Sequence, residues 1–201
     1  LTVLISFAVA LGEARGTITA QRADEIQTQI QALPGLVGQA LTSFDSIRPI
    51  AYDLAGARSA LFLGRDVLFP LALEGALKLK ELSYIHAEGF ASGEMKHGPI
   101  ALIEYGLPVV AMLSADELLS KAMSNLREAS ARGGQIILLT EERALAEVDF
   151  ASNVIAVPDV DPLLAPILLA VPAQILAYLT AVEKGTDVDQ PRNLAKSVTV
   201  E

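Results

Sequence analysis

The last two thirds of the chain alternate between short apolar runs and longer segments with helical periodicity. The apolar runs have the length of strands buried on both faces and cover 59–64, 100–103, 108–113, 135–140 and 153–157. Helical segments fill the intervals, over 71–85, 116–131, 141–146 and 162–184. Strands that alternate with helices in this way predict an α/β fold, a doubly wound parallel sheet flanked by helices.

Residues 1–57 show no strand pattern and predict a helical leader. Helices are expected over 1–12, 22–33 and 36–55, and Pro34-Gly35 is expected to break the chain between the last two. The predicted organisation is this leader, an α/β domain over 58–185 and a polar tail over 186–201. Because the first residue is leucine, we expect an internal fragment or a processed chain.

One apolar run, 163–182, is long enough to span a membrane and contains no charged residue. Pro166, Pro172 and Gln174 interrupt it, and no basic loop flanks it. We therefore predict a core helix of the α/β domain and no membrane segment.

Composition excludes several kinds of site. The chain contains no cysteine and only two histidines, which excludes disulfides, thiolate metal sites and a His-rich metal site. Its net charge of −9, without a basic stripe, argues against nucleic-acid binding. Walker-type, dinucleotide-binding and nucleophile-elbow motifs are missing, so we expect neither a metal nor a cofactor.

Three ionisable residues share one stripe of the helix predicted over 71–85. Glu74, Lys78 and Glu81 fall within an arc of about 60° at 100° per residue, whereas Lys80 points towards solvent. An exposed stripe would be a salt-bridge ladder. A buried stripe would place a carboxylate beside a lysine, which is suited to proton transfer. The pattern leaves both interpretations open.

A second polar cluster precedes Gly98-Pro99, where His97 follows Glu94 and Lys96. Glycines beside a histidine let the backbone approach a ligand closely, although a loop histidine without a role fits equally well. His86 follows the helix directly and is expected to cap it or to pack.

Three segments resemble one known family. They are FLGRDVLFPLALEGALKLKELSYIHAEGFASGEMKHGPIALI at 62–103, SNLREASARGG at 124–134 and KGTDVDQPRNLAKSVTVE at 184–201. In sequence and order they are similar to the sugar isomerase (SIS) domains of the glucosamine-6-phosphate synthase family, the glutamine:fructose-6-phosphate aminotransferases. The tail and the helix followed by KHGP are specific to this family among SIS proteins.

The resemblance implies the function and the domain assignment. These enzymes convert fructose 6-phosphate and glutamine to glucosamine 6-phosphate and glutamate, as cytoplasmic dimers built from a glutaminase domain and two SIS domains. Residues 1–57 would then end the first SIS domain and form a linker, 58–185 would be the second SIS domain, and 186–201 an active-site tail. The glutaminase domain and most of the first SIS domain are missing, so we expect the chain alone to be inactive.

The resemblance also implies catalytic roles. Glu81 corresponds to the base that moves a proton between C1 and C2 of the sugar, and Lys78 is its companion. His97 corresponds to the residue that promotes ring opening, and in the family it comes from the neighbouring subunit of the homodimer.

The remaining roles implied by the resemblance fall in the tail. Lys196 corresponds to the lysine that forms an imine with the open-chain ketose, while Leu194 and Ala195 line the site. Without the resemblance, Arg192 and Lys196 would be interpreted as solvated charges near a frayed end.

Two non-enzymatic functions compete with this one: a SIS module that senses a sugar phosphate, and a structural dimerisation module. A sensing module needs a phosphate loop rich in serine and threonine, which this chain does not contain. It needs no imine-forming lysine, whereas Lys196 is present.

Overall fold

A five-stranded parallel sheet forms the centre of the computed structural model, which describes residues 1–193. The strands are β1 (Ser59–Gly64), β2 (His86–Ala91), β3 (Pro108–Leu113), β4 (Gln135–Glu141) and β5 (Asn153–Val157). Their order across the sheet is β2-β1-β3-β4-β5, and neighbours pair in parallel. The chain thus winds outwards in both directions from β1, which confirms the predicted fold class.

Helices cover both faces of the sheet. They are α1 (Thr2–Ala14), α2 (Ala20–Leu41), α3 (Phe44–Ala55), α4 (Phe69–Ser83), α5 (Leu119–Ala131) and α6 (Ala165–Glu183). Alternate strand residues point to opposite faces. Phe62, Val110 and Met112 accordingly pack with α3, α4 and α6, whereas Leu61, Val109 and Leu138 pack with α5. Two-sided burial explains why β1, β3 and β4 are continuous apolar runs.

The apolar helix α6 lies inside this structure. By length and composition it could cross a membrane, yet most of its residues are buried, and it packs on α3 and α4. The prediction of a core helix is confirmed.

Helix α2 runs through Pro34-Gly35, so the predicted break there is wrong. Proline removes one helical hydrogen bond and costs about 3 kcal/mol. One apolar face nevertheless continues across it, made by Ile26, Ile30, Leu33, Val37 and Ala40. Burying a single large aliphatic side chain contributes about 1.5–3 kcal/mol, so this face outweighs the lost bond.

The N-terminal helices are attached to the sheet domain. Ile47, Ile50 and Leu54 of α3 belong to the main core, and Arg22 of α2 forms a 2.6 Å salt bridge with Asp161, after β5. The boundary between 57 and 58 stays a prediction.

The region around β2 differs from the predicted elements in two ways. The stretch 86–91, for which no strand is predicted, is an edge strand, and the strand predicted over 100–103 is wrong, since a 3₁₀ turn, Pro99–Leu102, lies there. The sequence of β2 contains no apolar run because α4 packs closely over it. A Cβ at Gly89 would lie 2.9 Å from the Cα of Leu73.

Substitution of Gly89 by alanine is expected to destabilise the fold by about 1–3 kcal/mol, because its Cβ would collide with the backbone of α4. Gly35→Ala is the matched control, since a Cβ at this position in α2 meets nothing within 4 Å. It should stabilise by about 0.5–1 kcal/mol. Urea unfolding of the two variants tests the pair, and equal effects of the same sign would contradict the close approach of α4 to β2.

Candidate active site

The ionisable stripe predicted from periodicity is present on α4. Lys78 Nζ donates a hydrogen bond to Glu81 Oε2 at 2.6 Å and lies 3.8 Å from Glu74 Oε1. The side chains of Lys78 and Glu81 are 32% and 28% exposed, and that of Glu74 is 46% exposed. Lys78 and Glu81 thus form a tight, half-buried pair, while Glu74 is a weaker and more exposed neighbour.

The protonation state of Lys78 is defined. The hydrogen bond with Glu81 raises the pKa of Lys78 above its ordinary value, and partial burial opposes this effect only in part. Lys78 is therefore a cation throughout the neutral range. Within residues 1–193, Glu81 accepts this bond through Oε2, and its Oε1 has no hydrogen-bond partner. Among the described residues, the carboxylate is therefore held through one oxygen only.

Close packing on the opposite face of α4 fixes the backbone of the pair. A Cβ on Gly75 would lie 2.9 Å from the ring of Phe62 in β1, so this glycine lets the helix lie directly on the sheet. Leu79 and Ser83 are fully buried on the same face. The position of Glu81 is thus set by the core.

A cleft of about 340 Å³ lies beside Glu81. It is lined by Leu77, Lys80, Glu81, Tyr84, Arg192 and Asn193. Lys80 is exposed, as its helical position predicts, and still borders this cleft. The cleft therefore joins the last turns of α4 to the start of the tail.

The first part of the tail is attached to the end of α4. Thr186 Oγ1 donates to the carbonyl oxygen of Leu82 at 2.7 Å, and the Arg192 backbone N–H donates to Tyr84 Oη at 2.9 Å. The Arg192 guanidinium lies 4.0 Å from the centroid of the Tyr84 ring. Arg192 is exposed, as the default interpretation of a solvated charge expects, but it is not loose, because its guanidinium lies over the Tyr84 ring. Sequence reasoning did not identify Tyr84, because the helix predicted over 71–85 placed this residue within the helix, whereas α4 ends at Ser83.

The other tail residues predicted for the site, Leu194, Ala195 and Lys196, lie outside the described residues.

Within the described residues, neither histidine forms a hydrogen bond or salt bridge with the ion pair. His97 is exposed at the end of the 3₁₀ turn Ser92–His97, and no hydrogen bond joins it to Lys78 or Glu81 within the described chain. The adjacent Lys96 forms a 2.6 Å salt bridge with Glu128 of α5. His86 begins β2 and lies 3.3 Å from Glu88, so it neither caps α4 nor packs in the core.

The crevice at the topological switch point is acidic. Parallel α/β sheets commonly bind ligands beyond the carboxyl ends of their strands where the winding reverses, here between β1 and β3. The cavity at this place measures about 160 Å³ and is bordered by Asp66, Asp116 and Glu117. Three carboxylates disfavour a phosphate group. Glu81 lies at the other end of α4, about 18 Å from Phe69 along the helix axis.

The fold and the site define the class of protein. A family model described as "SIS domain" matches residues 53–184, and the chain belongs to this family. Over its whole length it is 49% identical to isomerizing glutamine–fructose-6-phosphate aminotransferase of Rhizobium meliloti (strain 1021) and covers 33% of that protein. It is 51% identical to the enzyme of the same name from Bradyrhizobium diazoefficiens, again covering 33%. The chain thus spans about a third of the length of these relatives.

Solved structures agree with this assignment. The C-terminal domain of glucosamine-fructose-6-phosphate aminotransferase from Francisella tularensis matches with a TM-score of 0.88 at 39% identity, over 92% of this chain and 52% of that one. Tagatose-6-phosphate ketose/aldose isomerase from Escherichia coli matches with a TM-score of 0.62 at 19% identity, over 80% and 46% of the two chains, which shows the fold alone. The resemblance predicted from the motifs is confirmed.

Proposed function

We propose that this chain is the C-terminal isomerase part of an enzyme that converts fructose 6-phosphate and glutamine to glucosamine 6-phosphate and glutamate. The supporting observation is the cleft beside Glu81, which brings the end of α4 and residues 192–193 together. These two segments carry the most specific motifs of the resemblance, although Tyr84 and Arg192 are 108 residues apart.

The proposed chemistry uses one lysine as a nucleophile and one carboxylate as a proton carrier. The uncharged amine of Lys196 attacks C2 of the open-chain ketose, and loss of water gives an imine. Exchange with ammonia from glutamine releases Lys196 and leaves the nitrogen on C2. Glu81 takes a proton from C1 and returns it to C2. The proton of the C1 hydroxyl is transferred, in net terms, to the nitrogen, which leaves an aldehyde at C1 and an amine at C2.

The ion pair suits this division of roles. Lys78 is held protonated and therefore serves to orient Glu81 through Oε2. The second oxygen of Glu81 is left for the sugar. Lys196 is separated from Asn193, a residue of the cleft, by a stretch of chain that spans at most about 11 Å. That length favours Lys196 as the nucleophile of the same site.

We further propose that His97 serves the site of the neighbouring subunit in a cytoplasmic homodimer. Its exposure and the lack of a hydrogen bond to Lys78 or Glu81 within residues 1–193 favour this role, because a histidine of the same site would be expected to contact the pair. The acidic switch-point crevice likewise favours phosphate binding by residues of the preceding SIS domain.

The full-length gene product is expected to form glucosamine 6-phosphate from fructose 6-phosphate and glutamine, whereas the 201-residue chain should form none, with glutamine or with ammonia. The physical reason is that, within residues 1–193, the crevice at the switch point is lined by carboxylates, which disfavour the phosphate group. Both proteins should be assayed for the amino sugar under identical conditions. Synthesis by the short chain well above background would contradict the proposal that residues outside this chain bind the phosphate group. An inactive full-length protein would contradict the proposed enzymatic function.

A dimerisation module is the second candidate function. Leu73 and Leu77 are 45% and 40% exposed on α4 beside the ion pair, and an exposed apolar stripe of this kind is typical of an interface. A purely structural module would give a dimer in sedimentation and no synthesis by the full-length protein.

A further inference from the structure

Tyr84 has an unusual backbone conformation for its residue type. It ends α4 with φ 61° and ψ 15°, in the left-handed region, where its N–H donates to the carbonyl oxygen of Lys80 at 3.0 Å. Glycine is the usual residue at such a helix end, because a side chain there costs about 1–2 kcal/mol. A tyrosine at this position must therefore be explained by what its side chain does.

The side chain of Tyr84 binds the tail in two ways. Its hydroxyl oxygen accepts the Arg192 backbone N–H at 2.9 Å, and its ring lies 4.0 Å from the Arg192 guanidinium. The hydrogen bond fixes the place of the backbone at residue 192. The stacked guanidinium fixes its direction, since a planar cation has a preferred orientation over a ring.

The segment that leads to Arg192 is itself ordered by local bonds. The single hydroxyl proton of Thr186 is shared between the carbonyl oxygens of Leu82 and Ala181, which lie 2.7 and 3.0 Å from Oγ1. Asp187 Oδ1 accepts the N–H groups of Asp189 and Gln190, both at 3.0 Å. The tail is thus attached near its beginning at Thr186 and again at Arg192, with a short turn between the two attachments.

We propose that Tyr84 is a positioning residue for the reaction: it holds the backbone at Arg192 in the cleft of Glu81, and so sets where the segment carrying Lys196 begins. This inference rests on the proposed function, because it assigns the nucleophile to that segment. Tyr84 acts through Arg192.

Two substitutions in the full-length protein separate positioning from structural support. Tyr84→Phe keeps the ring and removes the hydrogen-bond acceptor, so synthesis should fall about two- to tenfold. Tyr84→Gly removes both contacts and relieves the left-handed backbone, so synthesis should fall about tenfold or more while the melting temperature is retained. The rate of glutamine hydrolysis should be unchanged in both. Tyr105→Phe, at an exposed loop position, is the control expected to match the unsubstituted protein.

Hydrogen exchange at the Arg192 amide provides a readout that does not depend on activity. Tyr84→Phe should raise the exchange rate about two- to tenfold, because the acceptor of this N–H is lost. Unchanged exchange at Arg192, or a Tyr84→Gly protein with unimpaired synthesis, would overturn the proposal. If the unsubstituted protein does not synthesise the amino sugar, the proposed function fails, and the exchange result alone decides whether Tyr84 holds the tail.

Discussion

Glu81→Gln in the full-length protein is expected to reduce isomerisation by about 10²- to 10⁴-fold, the usual contribution of a positioned general base. Glutamine keeps the shape of the side chain and can still accept a hydrogen bond from Lys78, so the fold should be retained. Glutamine hydrolysis should continue, because it belongs to another domain of the proposed enzyme. Parallel assays of glucosamine 6-phosphate and glutamate measure the two activities.

Glu74→Gln provides the matched comparison for this prediction. Glu74 lies on the same stripe but is 3.8 Å from Lys78 Nζ and 46% exposed, and ion pairs of this kind contribute little. Its substitution should therefore have only a small effect. If Glu81→Gln keeps near-normal isomerisation, the stripe is a salt-bridge ladder. Equal losses in the two variants would contradict a specific role of Glu81 as the base.

The same Glu81→Gln protein tests the proposed role of His97. Mixed dimers of Glu81→Gln and His97→Ala subunits should recover part of the lost synthesis, because one of the two hybrid sites would contain both intact residues. Demonstrated mixed dimers without recovery would show that His97 serves its own subunit.

Elements with a strong local pattern could be predicted from the sequence. Strands β1 and β3 coincide with their predicted ranges, because two-sided burial demands continuous apolar residues. Strand β5 also coincides with its predicted range, although it is an edge strand and only partly buried. Strand β2 could not be recognised, since its fit depends on Gly89 beneath the backbone of α4, a contact between separate elements. The continuation of helix α2 through Pro34 could not be predicted either, because it depends on a buried face that continues beyond the proline.

The candidate site could likewise be predicted from the sequence only in part. Helical spacing alone places Lys78 beside Glu81, and the structure brings the two within 2.6 Å. The contact of Tyr84 with Arg192 joins residues 108 positions apart, and the periodicity of the sequence does not predict it. The degree of burial that would decide between a ladder and a catalytic pair depends on what covers α4, which a helical pattern does not encode.

Lys196 is the residue for which the expected effect differs most between the two interpretations of the tail. A lysine near a chain end ordinarily has a pKa near 10.4 and is protonated at neutral pH. Formation of an imine requires the neutral amine, so a catalytic Lys196 must be partly desolvated in the assembled site, which lowers its pKa. Lys78 is the opposite case, because its bond with Glu81 raises its pKa and keeps it protonated.

Borohydride added with fructose 6-phosphate should therefore reduce an imine and leave a sugar attached to Lys196 of the full-length protein. Peptide mass spectrometry locates the adduct, and Lys196→Arg should abolish it, since a guanidinium is not a nucleophile at neutral pH. The 201-residue chain should be trapped weakly or not at all, because the enclosure that lowers the pKa of Lys196 would come from the preceding SIS domain. An adduct on Lys78 or Lys80 would assign the nucleophile to α4 and remove the tail from the proposed chemistry.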